Sequence, residues 1–421
     1  MTGYREILAV PGMAALLGVS FLARTAITSV VMALTMHVVL DLDLNYAAAG
    51  GVAAALTAGL ALGGPLLGRM LDGRGLRTVL TATVAAQAVF WPSATVLPYE
   101  ILLGAAFAAG LLMVPVQPVT RQAIAAMMTV AQRRAAFALE SVQGELSYMV
   151  GPAAVIACAA VMSPAIVVWA VGAAIVIGGT VLAVLDPPLR SAEDAHGGPA
   201  GRPPRRREWL NGGMIAVLLM AFGTTTLLSG VDLAVVATLE EAGQVSWAAV
   251  VVAVLGVTSV VGGLIYGTLS RSLPAWLLLG SLGLVTVPAG LAHGWPWLCV
   301  SVVGVGFLAA PSLSAVTEAV SRLAPAAARG EATGLQSSAQ NAGFALGSPI
   351  IGAAIDVWAP AAGFAVAGLA GCAAALTGWL LSRRGASPAG RPVAASGTSK
   401  PKEGAGGSRE GVGRANGPQA P

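Results

Sequence analysis

Five ionisable side chains stand inside long apolar stretches of the 421-residue sequence, which is 56% hydrophobic and only 10% charged. They are Arg24, Arg121, Glu140, Glu145 and Asp232. In a low-dielectric surrounding, a carboxyl group can take up and release a proton near neutral pH, and a guanidinium group attracts an anion. These residue types therefore point to proton transfer or to the binding of a charged ligand.

Their positions along the apolar stretches predict two pairs and one lone acid. Arg24 and Glu145 reach a similar mid-depth, whereas Arg121 and Glu140 share a shallower level. Each pair either is broken and remade as a proton or ligand moves, or is a permanent ion pair that holds its helices together. Asp232 has no basic residue at its depth in the second half of the chain, so we expect it to exchange a proton or to bond to a neighbouring helix as a neutral acid.

The elements that position these side chains are twelve apolar stretches of roughly 20 residues, the length that a helix needs to cross a hydrocarbon core of about 30 Å. They lie near 11–40, 46–68, 76–97, 100–123, 135–161, 164–186, 212–238, 247–269, 274–292, 295–320, 331–357 and 360–382. A soluble chain is nearer one quarter charged. The sequence therefore predicts an all-α membrane protein with twelve transmembrane helices, surrounded by a lipid bilayer.

Among the loops, lysine and arginine occur only in alternate ones. With the N-terminus inside, the cytoplasmic side holds Arg5, Arg69, Arg74, Arg77, Arg133, Arg134, Arg190, the arginines of 202–207, Arg271, Arg322, Arg329 and the basic C-terminal residues. The opposite loops hold Asp41, Asp43, Glu100, Glu240, Glu241, His293 and Asp356, and no Lys or Arg. Because Lys and Arg in short loops stay on the cytoplasmic side, we expect both termini in the cytoplasm. The Ala-, Gly- and Arg-rich composition is typical of a bacterial chain, hence of the cell membrane.

The chain divides into two similar halves. We expect an N-terminal six-helix bundle over 1–186, a cytoplasmic linker over 187–211, a C-terminal six-helix bundle over 212–382 and a disordered cytoplasmic tail over 383–421. Shifting the sequence by 199 residues aligns the glycines at 63 and 64 with those at 262 and 263, and a shift of 196 aligns Gly151 with Gly347. Such repeats are typical of transporters with two related bundles.

The segment GRMLDGRGLRTVL, residues 68–80, follows the second predicted helix. With Gly68, Asp72, Gly75 and Arg77 it resembles the G-x-L-x-D-R-x-G-R-[KR]-x-x-L signature of the major facilitator superfamily, although Gly73 and Leu76 replace basic residues. The corresponding loop of the second half keeps Arg271.

The resemblance implies an alternating-access transporter in which these residues form a gating latch between the halves. Asp72 would face the N-terminus of the eleventh helix near Gly330 and Glu331, and Arg77 would pair across the same seam. The alternative is that the arginines only enforce topology, which leaves Asp72 and the spaced glycines unexplained. A second resemblance, to the glycine- and proline-containing fifth helix of facilitator exporters, implies a helix-packing motif at Gly151 and Pro152, with counterparts at Gly347 and Pro349.

These observations favour a secondary active transporter over an enzyme. The sequence contains no G-x-x-x-x-G-K-[ST] motif, and its three histidines lie far apart, so we expect no nucleotide hydrolysis, no metal site and no cofactor. We expect a monomer that moves a small organic molecule and does not bind nucleic acid. Proton-coupled efflux is the main hypothesis; the alternative is proton-coupled or facilitated uptake of a sugar or organic anion, with Arg24 as the partner of the anion.

Overall fold

The computed structural model describes residues 2–190, 205–269 and 271–385, and these ranges contain helices and no β-strand. The first half contains α1 (Thr2–Ala9), α2 (Met13–Leu40), α3 (Tyr46–Arg74), α4 (Leu76–Ala94), α5 (Tyr99–Leu111), α6 (Val116–Met127), α7 (Val130–Ala159) and α8 (Pro164–Leu185). The second contains α9 (Arg206–Trp209), α10 (Gly212–Glu241), α11 (Ala248–Thr268), α12 (Ala275–Ala289), α13 (Trp295–Leu323), α14 (Arg329–Val357) and α15 (Pro360–Gly385).

Eight segments of the described residues are long and apolar enough to cross a membrane. They are α2, 48–74 of α3, 99–127 with α5 and α6 together, α8, α10, 245–268 with α11, α13 and 360–383 of α15. The other four predicted crossings correspond to α4, to the short α12, and to α7 and α14, whose polar residues lower their hydropathy. The all-α membrane architecture is confirmed.

The predicted fourth helix is interrupted, which the sequence analysis did not anticipate. It forms α5 and α6, with Leu112–Pro115 between them. Pro115 has no N–H to continue the helical ladder and disfavours a helical conformation at Val114. Gln87 of α4 compensates, because its Nε2 donates to the carbonyl oxygens of Ala109 at 2.9 Å and Leu112 at 3.1 Å. Its Oε1 accepts from Trp91 Nε1 at 2.9 Å, so the amide is fixed in turn.

The buried apolar side chains form two clusters. One is built from α1 to α8, and the other from α9 to α15 together with Ala138 of α7. Most of the predicted linker and residues 386–421 of the predicted tail lie outside the described residues. At the end of the predicted cytoplasmic linker, Trp209 is buried in the second cluster.

Glycines allow corresponding pairs of helices to meet backbone to backbone in both halves. In the first half, a Cβ on Gly110 of α5 would overlap with the carbonyl of Leu56 in α3. In the second half, a Cβ on Gly262 of α11 would overlap with the carbonyl of Phe307 in α13. Small residues permit such close packing in lipid, where apolar bulk alone does not favour helix association.

Gly110→Ala tests this packing. The new methyl group would meet backbone that cannot rotate away, and such overpacking costs about 1–3 kcal/mol, so we expect a lower midpoint in thermal unfolding of the purified protein. Gly104→Ala is the matched control in α5, because nothing lies within 4 Å of its added Cβ. Equal unfolding midpoints for the two variants would contradict the close contact between α3 and α5.

Candidate functional site

The end of α3 is bonded to the beginning of α14. Asp72 Oδ1 accepts a hydrogen bond from the backbone N–H of Gly330 at 2.9 Å, and Oδ2 accepts from that of Glu331 at 2.8 Å. The first N–H groups of a helix have no hydrogen-bond partner within the helix and carry partial positive charge. A carboxylate at this position accepts their hydrogen bonds and balances their charge. We call Asp72, Gly330 and Glu331 the latch, and the side of the molecule on which they lie the latch end. This is the geometry that the resemblance implies.

Four glycines, including Gly330 of the latch, bring the two helices together. A Cβ on Gly68 would overlap with the carbonyl of Gly330, and a Cβ on Gly64 would lie 2.7 Å from the carbonyl oxygen of Gly334. Ser338 Oγ donates to Ala61 O at 2.5 Å one turn farther along. α3 and α14 therefore touch along their backbones from the latch as far as Ala61.

The other predicted latch residues do not cross this seam. Gly75 ends α3 with a φ of 83°, a backbone conformation that a residue with a Cβ rarely adopts. Arg77 pairs with Asp186 at 3.0 Å within the first half, and both side chains are exposed, so the predicted pairing of Arg77 across the seam is wrong. Arg271 is exposed in the loop between α11 and α12.

A second contact between the halves joins α1 and α7 to α11 and α13. The Tyr4 hydroxyl of α1 donates to Leu264 O at 2.7 Å and lies in the space left by Gly267. Burial raises the pKa of Tyr4 to about 12, so its hydroxyl remains a donor in alkaline as well as in neutral solution. Arg134 of α7 donates to Leu269 O and lies 3.9 Å from Glu318. The sequence analysis did not single out Tyr4, because a lone tyrosine in a short terminal segment gives no signal.

Glu140 binds two arginines, the partly buried Arg24 and the buried Arg121. Its Oε1 lies 2.7 Å from Arg24 Nη1, and its Oε2 lies 3.4 Å from Arg121 Nε. The predicted pair of Arg121 and Glu140 is thus present, whereas the predicted pair of Arg24 and Glu145 is wrong. Glu145 makes no ion pair with any described residue, although it lies close enough to Arg24 to interact electrostatically. The cluster contains two guanidinium groups and one carboxylate, and therefore carries a net positive charge.

Amide and hydroxyl groups connect this cluster to the second half. With the Gln117 amide oriented to satisfy both of its ends, Oε1 accepts from Arg24 at 2.8 Å and from Arg121 at 3.2 Å, and Nε2 donates to Ser337 at 3.2 Å. Arg121 Nη1 also donates to Gln340 Oε1 at 3.3 Å. Because Ser337 and Gln340 belong to α14, the arginines are held from both halves.

A cavity of about 770 Å³ lies beyond the contact of Gly64 with Gly334, on the side away from the latch. Its walls come from α3, α7, α10 and α14. They consist of Ala53, Ala54, Thr57, Ala58, Ala61, Tyr148, Ser229, Asp232, Leu233, Asn341, Ala342, Phe344, Ala345, Leu346 and Ser348. The cavity thus lies between the two halves.

Asp232 is accessible from this cavity and makes no hydrogen bond or ion pair with a described residue. Glu145 is close enough to interact with it electrostatically. The Tyr148 and Phe344 rings stack with centroids 5.3 Å apart and planes at 18°. The sequence analysis missed these rings, although a signal existed, because the 196-residue shift that aligns Gly151 with Gly347 also aligns Tyr148 with Phe344.

The residues of the predicted packing motif contact equivalent helices in the two halves. A Cβ on Gly151 would lie 2.7 Å from Thr25 O of α2, and one on Gly347 would lie 2.9 Å from Thr226 O of α10. Pro152 and Pro349 follow them inside α7 and α14 without ending either helix.

Comparisons with known proteins identify relatives of this architecture. The family model described as Major Facilitator Superfamily matches residues 16–275 and 213–410. A search of curated protein sequences gives no match.

Among solved structures, the human organic anion transporter MFSD10 (TETRAN) is 14% identical with a TM-score of 0.67, covering 89% of this chain and 99% of its own. A bacterial homologue of the iron transporter ferroportin, in an outward-facing state, is also 14% identical with a TM-score of 0.67, covering 88% and 98%. The proton:xylose symporter XylE is 13% identical with a TM-score of 0.66, covering 90% and 96%. At these identities the likeness concerns the fold.

Gly68→Ala should weaken the closed latch end, because its methyl group would overlap with the Gly330 carbonyl. We expect a larger population of long distances between spin labels at the exposed positions Thr78 and Leu323, in a background without the three native cysteines. Gly73→Ala in the same helix is the control, since nothing lies within 4 Å of its Cβ. An unchanged distance distribution in Gly68→Ala would show that this contact does not hold the end closed.

Glu140→Gln should destabilise the fold, because it removes the carboxylate that Arg24 and Arg121 share. Removing one partner of a buried ion pair costs about 3–5 kcal/mol, whereas an exposed pair contributes about 0–1 kcal/mol. Asp186→Asn, which breaks the exposed pair with Arg77, is the matched control. Chemical unfolding in detergent should show a large loss of free energy of unfolding for Glu140→Gln alone; similar losses would contradict the shared role of Glu140.

Proposed function

The chain belongs to the Major Facilitator Superfamily, and on this premise we propose that it is a proton-coupled exporter of a small organic molecule. It is a multi-pass membrane transporter and not an enzyme, and in this proposal it acts as a monomer by alternating access. The observation that carries the proposal is the cavity carboxyl group of Asp232, which has no ion-pair partner among the described residues, with Glu145 beside it.

A proton carrier needs an acidic group whose surroundings change between the two states of the transporter. Asp232 lies on α10 and faces a cavity between the halves, so closure of that cavity would remove its solvent and raise its proton affinity. Glu145 lies on α7 of the opposite half, within electrostatic range of both Asp232 and Arg24. Movement of the halves would therefore change the charges around both carboxyl groups.

The same movement would exchange the contacts at the latch end. Opening that end requires the hydrogen bonds of Asp72 to Gly330 and Glu331 to break, together with those of Gln117 and Arg121 to α14. We propose that the latch end is cytoplasmic, because the loops there carry the Lys and Arg residues, and that both termini lie in the cytoplasm of a cell with this protein in its cell membrane. The described state is then outward-facing.

In the outward-facing state, the cavity would release substrate and load a proton from outside. A proton bound at Asp232 or Glu145 removes a negative charge from the cavity, which weakens its hold on a substrate that the carboxylate attracts. The protonated form would then close on the outside and open at the latch end, where the proton leaves. This order of events makes efflux the direction that an inward proton gradient drives.

Uptake of an organic anion or sugar is the second candidate, and one observation favours it. Arg24 and Arg121 share a single carboxylate, and Arg24 and Glu140 line a small pocket with Ser20, Gln117 and Thr120. The net positive charge there would attract an anion if the pocket enlarged in another state. Downhill uptake of such a compound into vesicles without an opposing proton flux would favour this candidate.

Proton flux in proteoliposomes tests the main proposal. Purified protein is reconstituted with a pH-sensitive dye inside, and organic cations, organic anions and sugars are added outside in turn. We expect one class to trigger a pH change in the wild type, and Asp232→Asn or Glu145→Gln to abolish it. Asp356→Asn, at an exposed position of α14, should behave as the wild type. Substrate movement without a pH signal, unchanged in both variants, would refute proton coupling.

A further inference from the structure

We infer that the substrate of the cavity is a hydrophobic organic cation, with Asp232 as its counter-ion and the stacked rings of Tyr148 and Phe344 as an aromatic wall. This inference rests on the proposed transport function and specifies the substrate class. Three features of the cavity support this inference: its negative charge, its apolar lining and volume, and its two aromatic side chains.

The charge of the cavity is negative. Among the residues that line it, Asp232 is the one with a formal charge, and Glu145 adds a second carboxyl group within electrostatic range. The nearby positive charges are engaged elsewhere, since Arg24 and Arg121 both bind Glu140 and Gln117. An unpaired charge in a low-dielectric site is costly, so a ligand of opposite charge that replaces the lost hydration is favoured.

The remaining surface favours a hydrophobic ligand. Most of the lining is apolar, from six alanines on α3 and α14 together with Leu233 and Leu346. Its volume of about 770 Å³ falls within the range of about 300–1,000 Å³ that is typical of sites for drug-sized molecules. A small hydrated ion would leave most of this apolar surface without a partner, whereas a bulky organic cation covers it.

The aromatic pair adds a preference for positive charge. The face of an aromatic ring attracts a cation through its quadrupole, by about 0.5–2 kcal/mol depending on desolvation. Tyr148 belongs to α7 and Phe344 to α14, so the two rings come from opposite halves. Both residues line the cavity, so a ligand there contacts both moving parts of the protein.

The same carboxyl group cannot hold a proton and form an ion pair with an organic cation at once. A proton at Asp232 neutralises the charge that attracts the ligand, and a bound cation favours the ionised carboxylate. The two ligands thus compete for one site, which is the condition for exchange of one for the other. The cavity lining would not give this competition for an anion, because it has no basic residue.

Two ions of nearly equal shape and opposite charge test the inference. Tetraphenylphosphonium and tetraphenylborate are added separately to the full-length protein in lipid nanodiscs, without a pH gradient, and bound ion is measured by equilibrium dialysis against empty nanodiscs. We expect saturable, protein-dependent binding of the phosphonium ion and none of the borate ion. Comparable binding of both, or of the borate alone, would overturn the inference.

Variants assign the binding to the cavity. Asp232→Asn should weaken phosphonium binding by about tenfold or more, and Tyr148→Leu by about threefold to tenfold. Asp232→Glu and Tyr148→Phe, which keep the charge and the ring, should stay within about threefold of the wild type and show that folding is intact. Asp356→Asn is the control for loss of a carboxylate outside the cavity. Full binding in Asp232→Asn would exclude Asp232 as the counter-ion and overturn the inference.

This experiment separates the substrate class from proton coupling. Binding of the phosphonium ion without proton flux in proteoliposomes would refute coupling and leave the cation site in place. Proton flux triggered by an anion or a sugar, with no phosphonium binding, would refute the cation inference and leave coupled transport in place.

Discussion

The backbone contact between α3 and α14 is the constraint on which the described state depends. Glycines at 64, 68, 330 and 334 remove the side chains that would separate the two helices, and Asp72 then reaches the free N–H groups at the start of α14. Beyond Ala61 the helices diverge enough for small side chains to line a cavity. The same pair of helices thus takes part in closure at one end and in access at the other.

The two halves share a scaffold and differ in charge at equivalent positions. The 196-residue shift that aligns Gly151 with Gly347 places Thr317 and Gln336 at the positions of Arg121 and Glu140. Gln336 Nε2 donates to Thr317 Oγ1 at 2.8 Å, so a neutral hydrogen bond in the second half occupies the place of an ion pair in the first. The first half therefore holds the cluster of Arg24, Arg121 and Glu140, whereas the second contributes Asp232 to the cavity.

Sequence reasoning predicted the helices, the family resemblance and the partner of Asp72, because hydropathy and the spacing of Gly68, Asp72 and Gly75 are local signals. Sequence reasoning failed for contacts that depend on how several helices are arranged in space. Depth alone paired Arg24 with Glu145, but Glu140 lies on the face of α7 that Arg24 reaches. Arg77 pairs instead with Asp186, which follows α8 in the same half. The cavity and its aromatic pair depend on how α7 and α14 face each other, which one Ala- and Gly-rich sequence does not encode locally.

The position of α6 depends on α4, because α4 binds the interruption between α5 and α6. A gap in a membrane helix leaves carbonyl groups without helical partners, and Gln87 binds two of them, those of Ala109 and Leu112, while Trp91 holds its amide in place. These hydrogen bonds attach the interruption to α4, a helix that contributes no residue to the cavity. Since α6 begins directly after this interruption, the position of its backbone, including that of Arg121, depends on the contact with α4. Evolution of a new ligand preference could thus proceed through α4 without any change in the residues that touch the ligand.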